Sequence, residues 1–167
     1  MGYLATTYPD ASDAAKVDLA SETPVTIDKV TYCGKSGKPM QWDGDRIKFQ
    51  GASDYDEKTV EAGGEVIPEG GYISFKVTKP GTIKHYIRSG SGSDTGRTVR
   101  IILVMNDGAD IVRLDNFNAP TGSYKEGSEM STAITKDHLS MTTSTATVYI
   151  YSLVNGVNAY YLEYIPD

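Results

Sequence analysis

Hydrophobic positions in this chain recur every second residue across short runs rich in Val, Ile, Thr and Tyr. Those runs are separated by clusters of Gly, Pro, Ser and Asp. A period of two places successive side chains on opposite faces of a strand. Strands are expected over residues 25–33, 46–50, 71–78, 82–88, 97–106, 109–115, 146–154 and 157–165, with 133–141 as a ninth candidate. A helical period shows only over residues 10–20, where Ser12 is placed to cap one short helix. Strands this regular, with no helices between them, predict an all-β fold: an antiparallel, jelly-roll-like β-sandwich of about eight or nine strands. The 167 residues suit one domain, read as residues 1–24 forming an extension or edge segment and 25–165 the sandwich core.

Two turn signals suggest hairpins. Asn155-Gly156 separates two Tyr/Val/Ile runs, and Asn-Gly favours a tight turn with positive φ at both residues. Lys79-Pro80-Gly81 separates residues 72–78 from 82–88, with proline presetting one dihedral and glycine free to take a left-handed one. A two-residue turn at Asn155-Gly156 would set Tyr151 opposite Tyr160 and Tyr149 opposite Leu162. One face would then carry Tyr149, Tyr151, Leu153, Tyr160, Leu162 and Tyr164. The other, with Val148, Ile150, Val154, Val157, Ala159, Tyr161 and Ile165, is the natural core. The run Ile101-Ile102-Leu103-Val104-Met105 is apolar on both parities, which places it centrally in its sheet.

Composition narrows the function. The net charge of −6 argues against a general nucleic-acid binder. Charge is uneven, however: residues 76–100 hold six cations against Asp94 alone, whereas residues 43–69 hold eight acids against three cations. No apolar run approaches the roughly 18 residues of a membrane span, and no basic-then-apolar signal pattern is read at the start of the sequence. The single cysteine, Cys33, excludes an intrachain disulfide.

Catalytic patterns are sparse. Only His85 and His138 could serve a nucleophilic triad; His85 shares its parity with Ile83 and Ile87, and His138 falls in a polar segment. No nucleophile-elbow, zinc-protease or phosphate-loop motif occurs, so no catalytic residue is assigned and the chain is read as a non-enzyme without cofactor. Asp54, Asp56 and Glu57 gather oxygen donors that a structural calcium ion would use, or form a solvated acidic loop. Tyrosines ranged on the wet side of a sheet offer flat rings to sugar C–H faces and hydroxyls to sugar oxygens; equally, they stabilise a sheet by cross-strand packing. Trp42, the single tryptophan, lies in a polar, glycine-bearing stretch and either stacks on a ligand or plugs one end of the sandwich.

The run 71–84, the runs Arg88-Ser89-Gly90-Ser91 and Arg97-Thr98-Val99-Arg100, and the ending 148–152 and 156–164 resemble, over about residues 25–165, the non-catalytic β-sandwich modules that accompany secreted bacterial pectate lyases and related polysaccharide-degrading enzymes. The resemblance implies carbohydrate binding or an accessory role beside a tethered catalytic domain, and an extracellular or periplasmic home; nothing in the sequence demands more than a monomer. The acidic stretch 52–70 departs from it. The expected function is a module that holds a plant cell-wall polysaccharide, pectic or otherwise β-linked, near a linked enzyme. Trp42, Tyr149, Tyr151, Tyr160 and Tyr164 would stack, while Lys84, Tyr86, Arg88, Arg97 and Arg100 would face acidic sugars such as galacturonate, or the cations would form a soluble, salt-bridged sheet surface. The alternative is a structural or protein-adhesion sandwich without glycan affinity.

Overall fold

The computed structural model describes residues 4–5, 17–27, 29–43, 46–50, 67–142 and 145–167. They form two antiparallel sheets. The first holds β1 (Leu4–Ala5), β2 (Val17–Ala20), β5 (Met40–Trp42), β6 (Ile47–Gln50), β8 (Gly81–Ser89), β11 (Met130–Ile134) and β13 (Gly156–Pro166). Its order is β11-β8-β13-β6-β5-β2, and β1 pairs with the far half of β13. The second, in the order β10-β9-β12-β7-β4-β3, holds β3 (Val25–Ile27), β4 (Val30–Cys33), β7 (Tyr72–Val77), β9 (Thr98–Met105), β10 (Asp110–Asn118) and β12 (Ala146–Ser152). The all-β sandwich expected from the alternation is therefore present, with more and shorter strands.

The extra strands have local causes. Lys29 takes a positive φ of 71° and breaks the expected strand 25–33 into the hairpin β3–β4. Residues 133–141 divide between the end of β11 and a helix, α1 (Lys136–Ser140). Thr135 caps that helix: its hydroxyl accepts from the His138 amide, and His138 Nδ1 accepts from the Thr135 amide. At the other end, Val17–Ala20 is a strand on β5 where a helix was expected, and residues 10–16 lie outside the described residues.

Neither expected hairpin forms. β7 belongs to the second sheet and β8 to the first, so Lys79-Pro80-Gly81 is a corner between sheets. Gly81 does not have a positive φ there; a Cβ at that position would lie 2.4 Å from the Ile165 carbonyl oxygen, so the close approach of β13 selects glycine. Residues 155–156 make a second corner, from β12 in the second sheet to β13 in the first. Asn155 has φ 56°, whereas Gly156 is not in the left-handed region, so the two-residue hairpin turn is not made. Among the longer strands the true hairpin is β9–β10, turning through Asn106, Asp107 and Gly108, all with positive φ.

The core lies between the sheets. Ile73, Phe75, Val77, Ile101, Leu103, Met105, Val148 and Ile150 face Met40, Trp42, Ile47, Phe49, Ile83, Ile87, Val157, Ala159, Leu162 and Tyr164. Burying each large side chain contributes about 1.5–3 kcal/mol. One polar chain crosses this interior. Thr132 Oγ1 donates to Asp115 Oδ2 at 2.8 Å and lies 3.1 Å from His85 Nε2. Because the hydroxyl proton is committed to Asp115, Nε2 must be the donor, leaving a neutral imidazole with a bare Nδ1. That ring is fully buried and stacks on Phe117 at 5.0 Å, and burial pulls its pKa down to about 4.

Candidate functional site

The outer face of the first sheet gathers aromatic and hydrogen-bonding side chains into rows. Along β8, Ile83, His85 and Ile87 point into the core, so Lys84, Tyr86 and Arg88 point out. On β13 the alternation reverses midway. Ala159 pairs with Ile87 and Tyr161 with Tyr86, leaving Tyr160 as the extra residue of a bulge. Val157 and Ala159 face inward before the bulge, Leu162 and Tyr164 after it, and both Tyr160 and Tyr161 project outward.

A third ring completes the aromatic row. Tyr124, from the loop between β10 and β11, lies against Tyr86 at 5.3 Å, Tyr160 at 6.2 Å and Tyr161 at 6.1 Å. Its plane is within 25° of Tyr160 and 27° of Tyr161, so Tyr124 stacks on both, and Tyr124 and Tyr161 form a strip at the surface. The loop is held by Tyr86, whose hydroxyl donates to the Gly122 carbonyl at 2.8 Å. Tyr86 and Tyr160 are buried beneath the strip, whereas Tyr124 and Tyr161 are half-buried and present ring surface.

Polar groups flank the strip on both sides. Strand register aligns Arg88, Asn158, Lys48 and Gln41 in one row across four strands. Arg46 Nη1 donates to the Tyr160 hydroxyl at 2.9 Å, with its guanidinium 5.8 Å from the ring centre. Asp43 holds both Arg46 and Lys48, at 3.4 and 2.5 Å. On the other side Lys84 stands opposite Glu163 in register. The Tyr161 hydroxyl donates to Glu163 at 2.6 Å and the Tyr124 hydroxyl to Glu129 at 2.5 Å. Tyr161 is pushed up to about 12, first by that bond to Glu163 and then by burial; Tyr124 is pushed up to about 12 by burial first, then by Glu129. Both phenols are thus neutral hydrogen-bonding groups at any physiological pH. Most charges on this face have an opposite charge beside them.

Of the residues singled out from the sequence, Lys84, Tyr86, Arg88 and Tyr160 come together here. The others do not. Trp42 is 6% exposed and sits in the core, taking the plugging alternative, because its parity on β5 matches that of Met40. Tyr164 is likewise interior, 6.0 Å from Phe75, with its hydroxyl donating to the Lys79 carbonyl. Tyr149 and Tyr151 lie on the outer face of the second sheet, across the sandwich from Tyr160. Arg97 closes the loop before β9 by bonding Asp94 and the Gly156 carbonyl. Arg46, Lys48, Tyr124, Asn158 and Tyr161 were not foreseen: the bulge hides Tyr161, and Tyr124 lies in a loop with no periodicity.

Among the described residues no group of three or more His, Cys, Asp or Glu side chains is placed to hold a metal ion. Asp54, Asp56 and Glu57 lie outside those residues. No described helix is long and apolar enough to cross a membrane.

No family model and no curated protein matches the chain. Among solved structures it is similar to a mutant xylanase 10C from Cellvibrio japonicus in complex with xylopentaose, at 12% identity and TM-score 0.48, over 90% of this chain and 28% of that one. It is also similar to the xylan-binding module CBM15, at 11% identity and TM-score 0.47, over 86% of this chain and 96% of that one. The chain thus spans little more than a quarter of the xylanase. Its functional reading is drawn from its own side chains.

Proposed function

We propose that this chain is a non-catalytic carbohydrate-binding module that holds a plant cell-wall polysaccharide on the outer face of its first sheet, near a linked enzyme outside the cell. The strip of Tyr124 and Tyr161, laid on the buried rings of Tyr86 and Tyr160, carries this reading. Pyranose rings expose C–H faces that stack on such surfaces, and the bordering half-buried Arg88, Lys48 and Gln41 supply hydrogen-bonding groups for sugar hydroxyls. Because Asp43, Glu129 and Glu163 compensate the neighbouring cations, the face suits a neutral, β-linked backbone rather than a strongly acidic one. Each stacking contact is weak, and tethering to an enzyme turns weak contacts into a high local concentration of enzyme on substrate.

The test is affinity electrophoresis through gels containing neutral and acidic plant polysaccharides, xylan and homogalacturonan among them. Retardation by a neutral polymer, lost in Tyr161→Ala and Tyr124→Ala and indifferent to salt, is the expected result. Unretarded migration in every gel overturns the reading and leaves the tyrosine strip as a contact surface for protein.

A further inference from the structure

The second sheet carries a groove of a different kind, of about 1090 Å³, running along β3, β4, β7 and β12 and reaching Tyr164, Pro166 and Asp167 at the end of the chain. Strand register lines its floor with hydroxyls: Thr26 pairs with Thr31, Thr31 with Ser74, and Ser74 with Tyr149. The Thr26 and Thr31 hydroxyls are 2.8 Å apart. Tyr149 and Tyr72 form one wall as an edge-to-face pair with ring centres 5.1 Å apart. Three cations line the same groove, Lys29 at the β3–β4 turn, Lys76 on β7 and Lys79 at the corner into β8, against Asp167 as its single acid. All three lysines are exposed, and among the described residues none of them has an ion-pair partner.

We infer that this groove is a second glycan site, selective for an oligosaccharide bearing uronate carboxylates. A row of hydroxyls beside an aromatic wall matches a sugar chain, which offers alternating hydroxyls and C–H faces. These lysines, with no ion-pair partner among the described residues, add what a neutral sugar does not need. A lysine ammonium is a mobile point charge that meets a carboxylate without fixed geometry, and three around one groove raise the local concentration of an anionic chain. The inference does not rest on the tyrosine strip, which lies on the opposite sheet with compensated charges.

The probe is trigalacturonate, titrated into the full chain while backbone amide shifts are followed by NMR, with xylotetraose as the neutral counterpart. Trigalacturonate is expected to move amides of residues 26–31, 74–79 and 147–149, and its affinity to fall several-fold between about 50 and 300 mM salt as screening shortens. The double variant Lys76→Gln, Lys79→Gln, whose exposed side chains leave the fold unaltered, should weaken it about tenfold, the loss of roughly 1.4 kcal/mol. Absence of shifts in those segments at millimolar trigalacturonate, or unchanged affinity in the double variant, overturns the inference. The two readings fail separately: Tyr161→Ala should abolish xylotetraose shifts on the first sheet while leaving the groove's response to trigalacturonate intact.

Discussion

The outer faces of the two sheets are both rich in tyrosine, yet they are built for different ends. On the first sheet the rings lie in a strip with hydroxyls tied to carboxylates and cations held by acids, so ring surface remains open between satisfied polar rows. On the second sheet the middle of the face is closed. Ile102 and Tyr151 are 0% and 3% exposed and form a small apolar cluster with Val104, packed by Ile67, Ile111 and Leu153. Only toward β3 does that face open into the hydroxyl-lined groove. Tyr149 and Tyr151, two residues apart on β12, therefore differ in kind: one borders a groove and the other is core. A tyrosine-rich strand does not define a platform; what covers each ring does.

The largest test of this contrast is mechanical. Tyr151→Ala and Ile102→Ala should each cost about 2–5 kcal/mol in denaturant unfolding, as for any buried large-to-small change. Tyr161→Ala, on the half-open strip, should cost no more than about 1 kcal/mol while removing polysaccharide retention. If Tyr151→Ala unfolds no more readily than Tyr161→Ala, the second sheet has no packed outer layer and the contrast collapses.

A second test separates both outer faces from the layer between them. His85 is neutral inside the sandwich with its pKa lowered from 6.5 to about 4, so below pH 6.5 the unfolded chain binds a proton that the folded chain refuses. Stability is then complete above pH 6.5 and falls as pH drops toward 4, by up to about 3 kcal/mol from this residue. His85→Gln keeps a donor for Thr132 and should flatten that part of the stability profile without touching retention by polysaccharide. An unchanged pH slope in the variant would show that other groups carry it.

How much of this was legible in the sequence depended on the kind of signal. Alternation found the long strands and the sandwich, because burying every second side chain is a local property. It could not say which strands pair. Ile73, Phe75 and Val77 face Ile83 and Ile87 equally well side by side in a hairpin or across the core at a corner, and the turn residues Pro80-Gly81 and Asn155-Gly156 suit both. The choice is made by partners distant in the chain: β12 pairs with β7 and β9, and β13 with β8 and β6. The site suffered more. A one-residue bulge at Tyr160 inverts parity along β13, moving Tyr161 to the outer face and Tyr164 to the core, and nothing in the residue types around it announces the bulge. Lys84, Tyr86 and Arg88 keep the parity opposite to Ile83, His85 and Ile87 because β8 has no such interruption.

The smallest expected effect probes the strip itself. Tyr161 and Tyr124 have nearly parallel rings and similarly raised phenols, but the leading causes differ: the bond to Glu163 for Tyr161, burial for Tyr124. Glu163→Gln should therefore bring Tyr161 down from about 12 toward the ordinary 10 and leave Tyr124 near its raised value. Ring carbon shifts followed by NMR through an alkaline titration resolve the two residues. Because Glu163 orients the Tyr161 hydroxyl rather than the ring, polysaccharide retention should weaken only about two- or threefold, well short of the loss in Tyr161→Ala, since an exposed hydrogen bond contributes about 0.5 kcal/mol, the low end of the usual range. Equal loss in the two variants would mean that the hydroxyl, not the ring face, makes the contact, and the strip would then act as a hydrogen-bonding row rather than a stacking surface.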